Sequence, residues 1–287
     1  MGVRLKDRLG AGPTLVVGAV VVAIFALDAL LAPLVAPHDP LHGELARRLL
    51  PPVWMGGSAD YLLGTDGLGR DVLSRLVWGA RVSFGLGLAG AAIAAGVGTA
   101  LGMVAGWWEG WLDGLLGRLA DFLLAFPMLI FAIGVITALG SGFWNLILAL
   151  SLKSWVEFMR LVRGQVLAHK QLVYVDAAHA LGRSGAGILA WEILPNIFHG
   201  VLVLATLRVG YLIIAAASLS FLGLGVQPPT PEWGAMVNDG RNFMLSAWWL
   251  STFPGLAIVV LVLGLNLLSE GLHELLDPRF RDPGIPR

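Results

Sequence analysis

Six long apolar stretches divide this 287-residue chain, and they constrain its fold more than any other feature. A helix that rises 1.5 Å per residue needs about 20 residues to cross a hydrocarbon core of about 30 Å. Every backbone polar group must be paired inside a bilayer, so such stretches form helices. The sequence therefore predicts an all-α integral membrane protein with six transmembrane helices. The predicted spans are residues 14–36, 83–106, 119–139, 143–159, 199–219 and 250–272.

The composition supports a membrane protein and excludes several kinds of chemistry. Charged residues make up 13% of the chain, about half of the roughly 25% found in soluble domains. A net charge of zero gives no electrostatic footprint for nucleic acid. The chain has no cysteine, which rules out thiolate catalysis and disulfides. Lys153-Ser154 follows Leu152 where a nucleotide-binding loop requires glycine, so we expect no ATP hydrolysis and no bound cofactor or metal.

A polar segment from Tyr174 to Asn196 interrupts the apolar pattern and predicts a docking loop. Asp176 can cap a short helix of good helix formers, and Gly182 breaks that helix. A second helical turn is expected to stop at Pro195. Small side chains suit the first helix for entering a groove on another protein. The candidate docking residues are Asp176, Ala177, Ala178, Gly182, Ser184, Gly185, Leu194 and Pro195.

Asp176-Ala177-Ala178, then Gly182, then Leu194-Pro195 resembles the coupling loop of ABC importer permeases. That loop reads Glu-Ala-Ala, Gly and later Ile-x-Leu-Pro. Aspartate replaces the glutamate here, and Glu192 stands where the isoleucine is expected. Three further segments resemble the second permease subunit of dipeptide, oligopeptide and nickel importers. They are the Gly-Thr-Asp-x-Leu-Gly-Arg-Asp segment within 62–83, the Leu-Ser-Phe-Leu-Gly-Leu-Gly segment within 218–234, and the segment 271–279.

The resemblance implies an ABC type I importer fold and a set of partners. These are a homologous second permease subunit, two ATPase subunits that carry ATP and magnesium, an extracytoplasmic solute-binding protein and the lipid bilayer. The resemblance divides the chain into three parts. Residues 1–82 comprise an N-terminal tail, the first span and an external segment. Residues 83–273 form the permease domain, with the coupling loop at 164–198, and residues 274–287 form a cytosolic tail. Basic residues in both tails place the termini in the cytosol of a multi-pass inner-membrane protein.

Two regions outside the loop are predicted to lie in external or gating positions. Asp71, Ser74 and Arg75 share one face of a short helix, which predicts an amphipathic interfacial helix before the second span. Residues 226–240 predict a rigid outer loop with an exposed aromatic residue, which contacts the binding protein or gates the pathway. The candidate residues in that loop are Pro228, Pro229 and Trp233.

Two ionisable residues in the predicted spans, Asp28 and Arg208, are candidates for the solute pathway. Charged groups in a bilayer are costly and face other helices or water. Arg208 either extends to the cytosolic surface or meets a carboxylate on another helix. The solute predicted from the resemblance is a dipeptide or oligopeptide. Nickel or another small solute stays open, as does an ion-coupled carrier that uses Asp28 and Arg208.

Overall fold

The computed structural model describes residues 12–276. The basic residues of the first eleven positions and the motif from Asp277 onward lie outside the described residues. Over 12–276 the chain is helical, with two isolated bridges and no strand. The helices are α1 (Pro13–Val35), α2 (Val72–Trp108), α3 (Gly110–Ala125), α4 (Met128–Leu139), α5 (Phe143–His169), α6 (Val173–Ala180), α7 (Gly185–Ile188), α8 (Leu194–Phe221), α9 (Trp233–Gly240) and α10 (Trp249–Leu276).

Four helical segments of the described chain are long and apolar enough to cross a membrane on their own. They are α1, α2, the continuous run Gly185–Phe221 and α10. Helices α3 and α4 pass the same test together but are bent by 95° at Phe126-Pro127. Pro127 has no N–H and restricts the conformation of the residue before it, so it separates two helices. The described helices thus support four or five crossings, and six stays a prediction.

Helix α2 corrects the prediction of a separate interfacial helix before the second span. It runs without a break from Val72 to Trp108. Asp71 caps it, accepting from the backbone N–H of Ser74 at 2.9 Å. Both faces of its first turns are buried: Arg75 is 4% exposed and Val77 is 6% exposed. The segment before it wraps this end, with Arg75 Nη1 donating to the carbonyl of Pro40 at 3.1 Å. Packing against this segment covers the polar face that looked amphipathic.

The pairing of α2 with α5 forms the centre of the bundle, and a stripe of small residues on α2 lies at this contact. Ala94 is fully buried, and Gly98, Gly102 and Gly106 are buried beside it. A methyl group on Gly98 would lie 2.4 Å from the backbone oxygen of Trp155. The two helices therefore touch along their backbones, as small residues permit in lipid.

Three apolar clusters lie within the described residues, and the two larger ones fill the bundle. One lies towards the end where α2 begins and includes Leu146, Leu212 and Trp233. The other lies towards the end where α5 finishes and includes Phe158 and Ile193. The second cluster also contains residues from the polar loop, so this loop is packed on the bundle.

Candidate functional site

The polar loop connects α5 to α8 and forms α6 and α7. Helix α6 begins at Val173, with Leu172 in the N-cap position and no side-chain cap. The prediction that Asp176 caps this helix was wrong, because the helix begins three residues earlier. Asp176 lies in the first turn instead, where its negative charge interacts favourably with the positive end of the helix dipole.

One face of α6 packs on the rest of the chain and the opposite face is open. Val175 is 1% exposed and Ala178 is 8% exposed, so Ala178 does not belong to the open face as the sequence suggested. The His179 ring stacks on Trp107 at the end of α2, with 5.7 Å between ring centroids. The open face, called the docking face below, consists of Val173, Asp176, Ala177, Ala180 and Leu181.

The docking face is apolar at both ends. Val173 is 82% exposed and Leu181 is 88% exposed, and neither contributes to the core clusters of the described chain. Large apolar side chains exposed together on a short surface helix mark an interaction site. The sequence pattern suggested Ala-rich faces but did not single out these two residues. Their spacing of eight places them on one side of a helix, and this signal was present in the sequence.

The hinge after α6 is confirmed at Gly182. Its φ of +79° lies in the left-handed region, and a methyl group there would meet nothing within 4 Å. The constraint at Gly182 is therefore the backbone conformation, which residues other than glycine adopt at a cost. Ser184 caps α7 by accepting from the N–H of Gly187 at 3.3 Å. Gly185 has a steric role, since a methyl group there would lie 2.8 Å from Trp107 Nε1.

Pro195 does not stop the second helix, contrary to the sequence-based prediction. A π-helical turn, Leu189–Ile193, leads from α7 into α8, and Pro195 lies in the first turn of α8. The wider turn and this position accommodate a residue without an N–H group. Glu192, which stands where an isoleucine was expected, lies in the π-turn and forms an ion pair with Arg183. The loop thus continues into α8 as one helical run to Phe221.

Three polar contacts attach the base of the loop to the bundle. Lys170 Nζ donates to the backbone oxygen of Trp107 at 2.9 Å and to Glu109 Oε1 at 2.8 Å. His169 Nδ1 and Tyr174 Oη are hydrogen-bonded at 2.7 Å. Burial raises the pKa of the Tyr174 phenol, which keeps it neutral at ordinary pH. With the Trp107 stack, these contacts make the loop and the ends of α2 and α5 one body.

The predicted outer loop is present, but its aromatic residue is not exposed. Trp233 is 1% exposed, its Nε1 donates to the carbonyl of Leu76 at 2.9 Å, and it packs edge-on against Phe25. Large aromatic side chains with a hydrogen-bond partner are favourable in a core, which is why it turns inward. Pro228 and Pro229 are exposed, so the outward-facing part of the loop is the proline segment.

Glu232 is a buried residue of this outer region that the sequence reasoning missed. It caps α9: Oε1 accepts from the N–H of Gly234 at 2.9 Å and from Ser83 Oγ at 3.2 Å, and Oε2 accepts from the N–H of Ala235 at 2.8 Å. Burial raises the pKa of this carboxyl, and the hydrogen bonds to it act in the opposite direction. The Pro-Glu-Trp order was the available signal, because Glu directly before a helix start can act as a cap.

Replacing Glu232 by alanine should destabilise the protein by about 1–3 kcal/mol, since it leaves buried N–H groups without a partner. The measurement is the thermal unfolding midpoint of the purified protein in detergent. The matched control is Glu44→Ala, because the Glu44 side chain is 65% exposed and pairs only with Arg47 on the surface. Equal midpoints for the two variants would contradict a structural role for the Glu232 cap.

The two candidate pathway residues are in different surroundings. Arg208 on α8 meets a carboxylate: it forms an ion pair with Glu157 on α5, and its guanidinium lies 5.1 Å from the ring centroid of Tyr211. Asp28 is half-buried on α1 and forms no ion pair within the described residues. The structure therefore does not bring Asp28 and Arg208 together. Whether either residue lines a solute pathway stays a prediction.

The loop and most of the helices lie in a region that matches a family model. Residues 98–282, more than half of the chain, match the model described as binding-protein-dependent transport system inner membrane component. The chain belongs to this family. Residues 8–52 match a second model, the N-terminal transmembrane domain of oligopeptide transport permease C. These matches confirm the prediction of an ABC importer permease with an all-α type I fold in the inner membrane.

Similar proteins from bacteria cover between 79% and 97% of this permease. The probable D,D-dipeptide transport system permease protein DdpC of Escherichia coli (strain K12) is 39% identical over 97% of this chain and 92% of its own length. The di/tripeptide transport system permease protein DppC of Pseudomonas aeruginosa (strain UCBPP-PA14) is 41% identical over 92% and 88%. The glutathione transport system permease protein GsiD of Escherichia coli O157:H7 is 46% identical over 79% and 75%.

Proposed function

We propose that this permease is one of two related subunits of an ATP-driven importer of short peptides. The relatives that resemble it over most of its length are named for dipeptides, di- and tripeptides and glutathione, all of which are short peptides. In this proposal the second permease subunit completes the pathway, and a solute-binding protein delivers the peptide from outside. Two ATPase subunits bind ATP and magnesium on the cytosolic side.

The docking face of α6 is the observation that supports this proposal most directly. It presents exposed Val173 and Leu181 on a helix that is fastened to α2 and α5. A groove on each ATPase receives such a helix, and ATP-driven approach of the two ATPases moves it. Because the loop is joined to α5 and α8, this movement reaches the spans as a rigid-body displacement.

The proposed membrane orientation follows from the docking face. If α6 meets an ATPase, the ends of α2 and α5 that hold it are cytosolic. The outer segment before α2 and the loop with Pro228 and Pro229 then lie outside, at the opposite ends of the same helices. Both termini of the chain are cytosolic in this arrangement. The outer proline segment is positioned to meet the solute-binding protein.

Uptake of labelled peptide by the reconstituted importer tests the function. The permease should be assembled in proteoliposomes with its second permease, its ATPases and its binding protein. We expect accumulation of labelled dipeptide only with ATP and with all subunits present. Transport by the permease alone under an ion gradient would contradict the proposal and support an ion-coupled carrier. ATP-dependent uptake of nickel without uptake of peptide would retain the importer and overturn the peptide as its solute.

A further inference from the structure

Helix α5 carries a polar track on the face that turns away from α2. The opposite face of α5 is buried against the glycines of α2 through Trp155, Phe158 and Val162. The track residues follow one another at the spacing of three to four that keeps side chains on one side of a helix. The polar track consists of Lys153, Glu157, Arg160 and Gly164.

Each charged residue of the track has a partner on another helix or on the α3–α4 break. Lys153 Nζ donates to the backbone oxygen of Phe126 at the break. Glu157 pairs with Arg208 of α8, and Arg160 pairs with Asp121 of α3. These partners do not cover the track, because the Arg160 side chain is still 49% exposed and Glu157 is 35% exposed. The track is therefore an open, charged surface.

In the orientation proposed above, the position of the ion pair along its helices argues against a surface that faces lipid. Glu157 is 14 residues beyond the first residue of α5, and Arg208 is 13 residues before the last residue of α8. At 1.5 Å per residue both lie about 20 Å from the outer ends of their helices. If those ends lie at the outer membrane surface, as in the proposed orientation, both residues are within a hydrocarbon core of about 30 Å. Charged side chains at such depth face the interior of a bundle or a water-filled cavity.

The outer half of the same face of α5 is buried in the apolar cluster that includes Leu212 and Trp233. It continues as Leu146 and Leu150, which are 0% and 1% exposed within the outer apolar cluster. The polar track thus begins below an apolar layer and runs towards the end that carries α6. In a permease that works as one of two subunits, this geometry matches the wall of a solute pathway that is closed on the outer side.

We propose that the polar track lines the solute pathway and that Glu157 and Arg208 bind the charged ends of a zwitterionic solute. The Arg208 guanidinium takes the carboxylate, and the Glu157 carboxylate takes the ammonium group. Arg208 Nε has no hydrogen-bond partner among the described residues, so the Glu157 pair does not satisfy the whole guanidinium. With the peptide transport proposed above, on which this assignment of solute rests, the ligand is a peptide with free termini.

Thiol labelling tests whether water reaches the track. The chain contains no cysteine, so a single introduced cysteine is the only site in this subunit. Lys153→Cys and Arg160→Cys should react with a membrane-impermeant methanethiosulfonate added on the cytosolic side of the assembled importer, and dialanine should slow the reaction. Leu148→Cys is the matched control, because Leu148 is 45% exposed on another face of α5 and should not react. Equal labelling at Leu148→Cys, or none at the track, would overturn the pathway assignment.

Uptake of two peptides tests the charge recognition. Glu157→Gln and Arg208→Gln should lower uptake of dialanine about tenfold, the size expected for one lost hydrogen bond to a charged group. The unaltered importer should take up N-acetyl-dialanine amide, which has no charged ends, more slowly than dialanine. Neither substitution should lower this slower uptake further. Glu44→Gln on the outer surface is the control.

The outcomes of these experiments separate the two proposals. Equal loss for both peptides would show that the ion pair is structural and overturn the charge recognition. No loss for either peptide would also overturn it. If the unaltered importer transports neither peptide, the proposed function fails. The labelling pattern then still decides whether the track faces water.

Discussion

Replacing Leu181 by aspartate should abolish ATP-dependent uptake while the permease still reaches the membrane. Leu181 is 88% exposed at the end of α6 and takes no part in the core clusters of the described chain, so its loss leaves the fold intact. On binding, its side chain would enter an apolar groove, which stabilises the complex by about 1.5–3 kcal/mol. Aspartate removes this stabilisation of the complex and adds the free-energy cost of desolvating a charged carboxylate. The measurement is labelled-dipeptide uptake, together with co-purification of the ATPase subunits.

A leucine on the opposite side of the protein provides the matched control. Leu45→Asp changes a side chain that is 66% exposed in the outer segment, so co-purification of the ATPases should be unaffected. Val173→Asp, at the other end of the docking face, should resemble Leu181→Asp. If Leu181→Asp and Val173→Asp both retain the ATPases and normal uptake, α6 is not the coupling helix.

Adding one methyl group at Gly98 should destabilise the permease, while the same change two residues earlier should not. A Cβ at Gly98 would lie 2.4 Å from the Trp155 carbonyl oxygen and 2.5 Å from Phe158 Cβ. A backbone atom cannot move aside without shifting α5, and overpacking of this kind costs about 1–3 kcal/mol. The measurement is the unfolding midpoint in detergent for Gly98→Ala. For Gly98→Leu we expect loss of the folded protein.

Gly96 is the control for this experiment, because it lies on the same helix and a methyl group there meets nothing within 4 Å. Alanine has a higher helix propensity than glycine by up to about 1 kcal/mol, so Gly96→Ala should be neutral or stabilising. A fall in the midpoint at both positions would indicate that α2 is sensitive to any substitution, and the account of close α2–α5 contact would be wrong.

The close packing of α2 on α5 also bears on the proposed coupling movement. The same glycine stripe reaches Gly106, where a methyl group would lie 2.8 Å from Val166 Cβ near the end of α5. Trp107 follows directly and stacks on His179 of α6. A push on α6 therefore acts on α2 and α5 together, and the two helices that meet at the polar loop cannot move independently.

The corrected predictions share one physical cause, which is that local patterns do not report what packs against them. Asp71, Ser74 and Arg75 have the spacing of a surface helix, but the preceding segment folds over them and buries all three. Pro195 is a helix breaker by its own chemistry, but a π-turn before it lets the helix continue. Trp233 follows three prolines in a loop, yet its apolar ring is more stable in the core.

The sequence alone determined the membrane class, the family and the location of the polar loop. Apolar stretches of span length admit only helices in lipid, and the spacing of Asp176, Gly182 and Pro195 is a local property of the chain. The tertiary structure decided which side of α6 is open, because burial of Val175 and Ala178 depends on contacts with distant residues. It also decided that Glu157 meets Arg208. These residues lie 51 positions apart, and only the packing of α5 beside α8 brings their charges together.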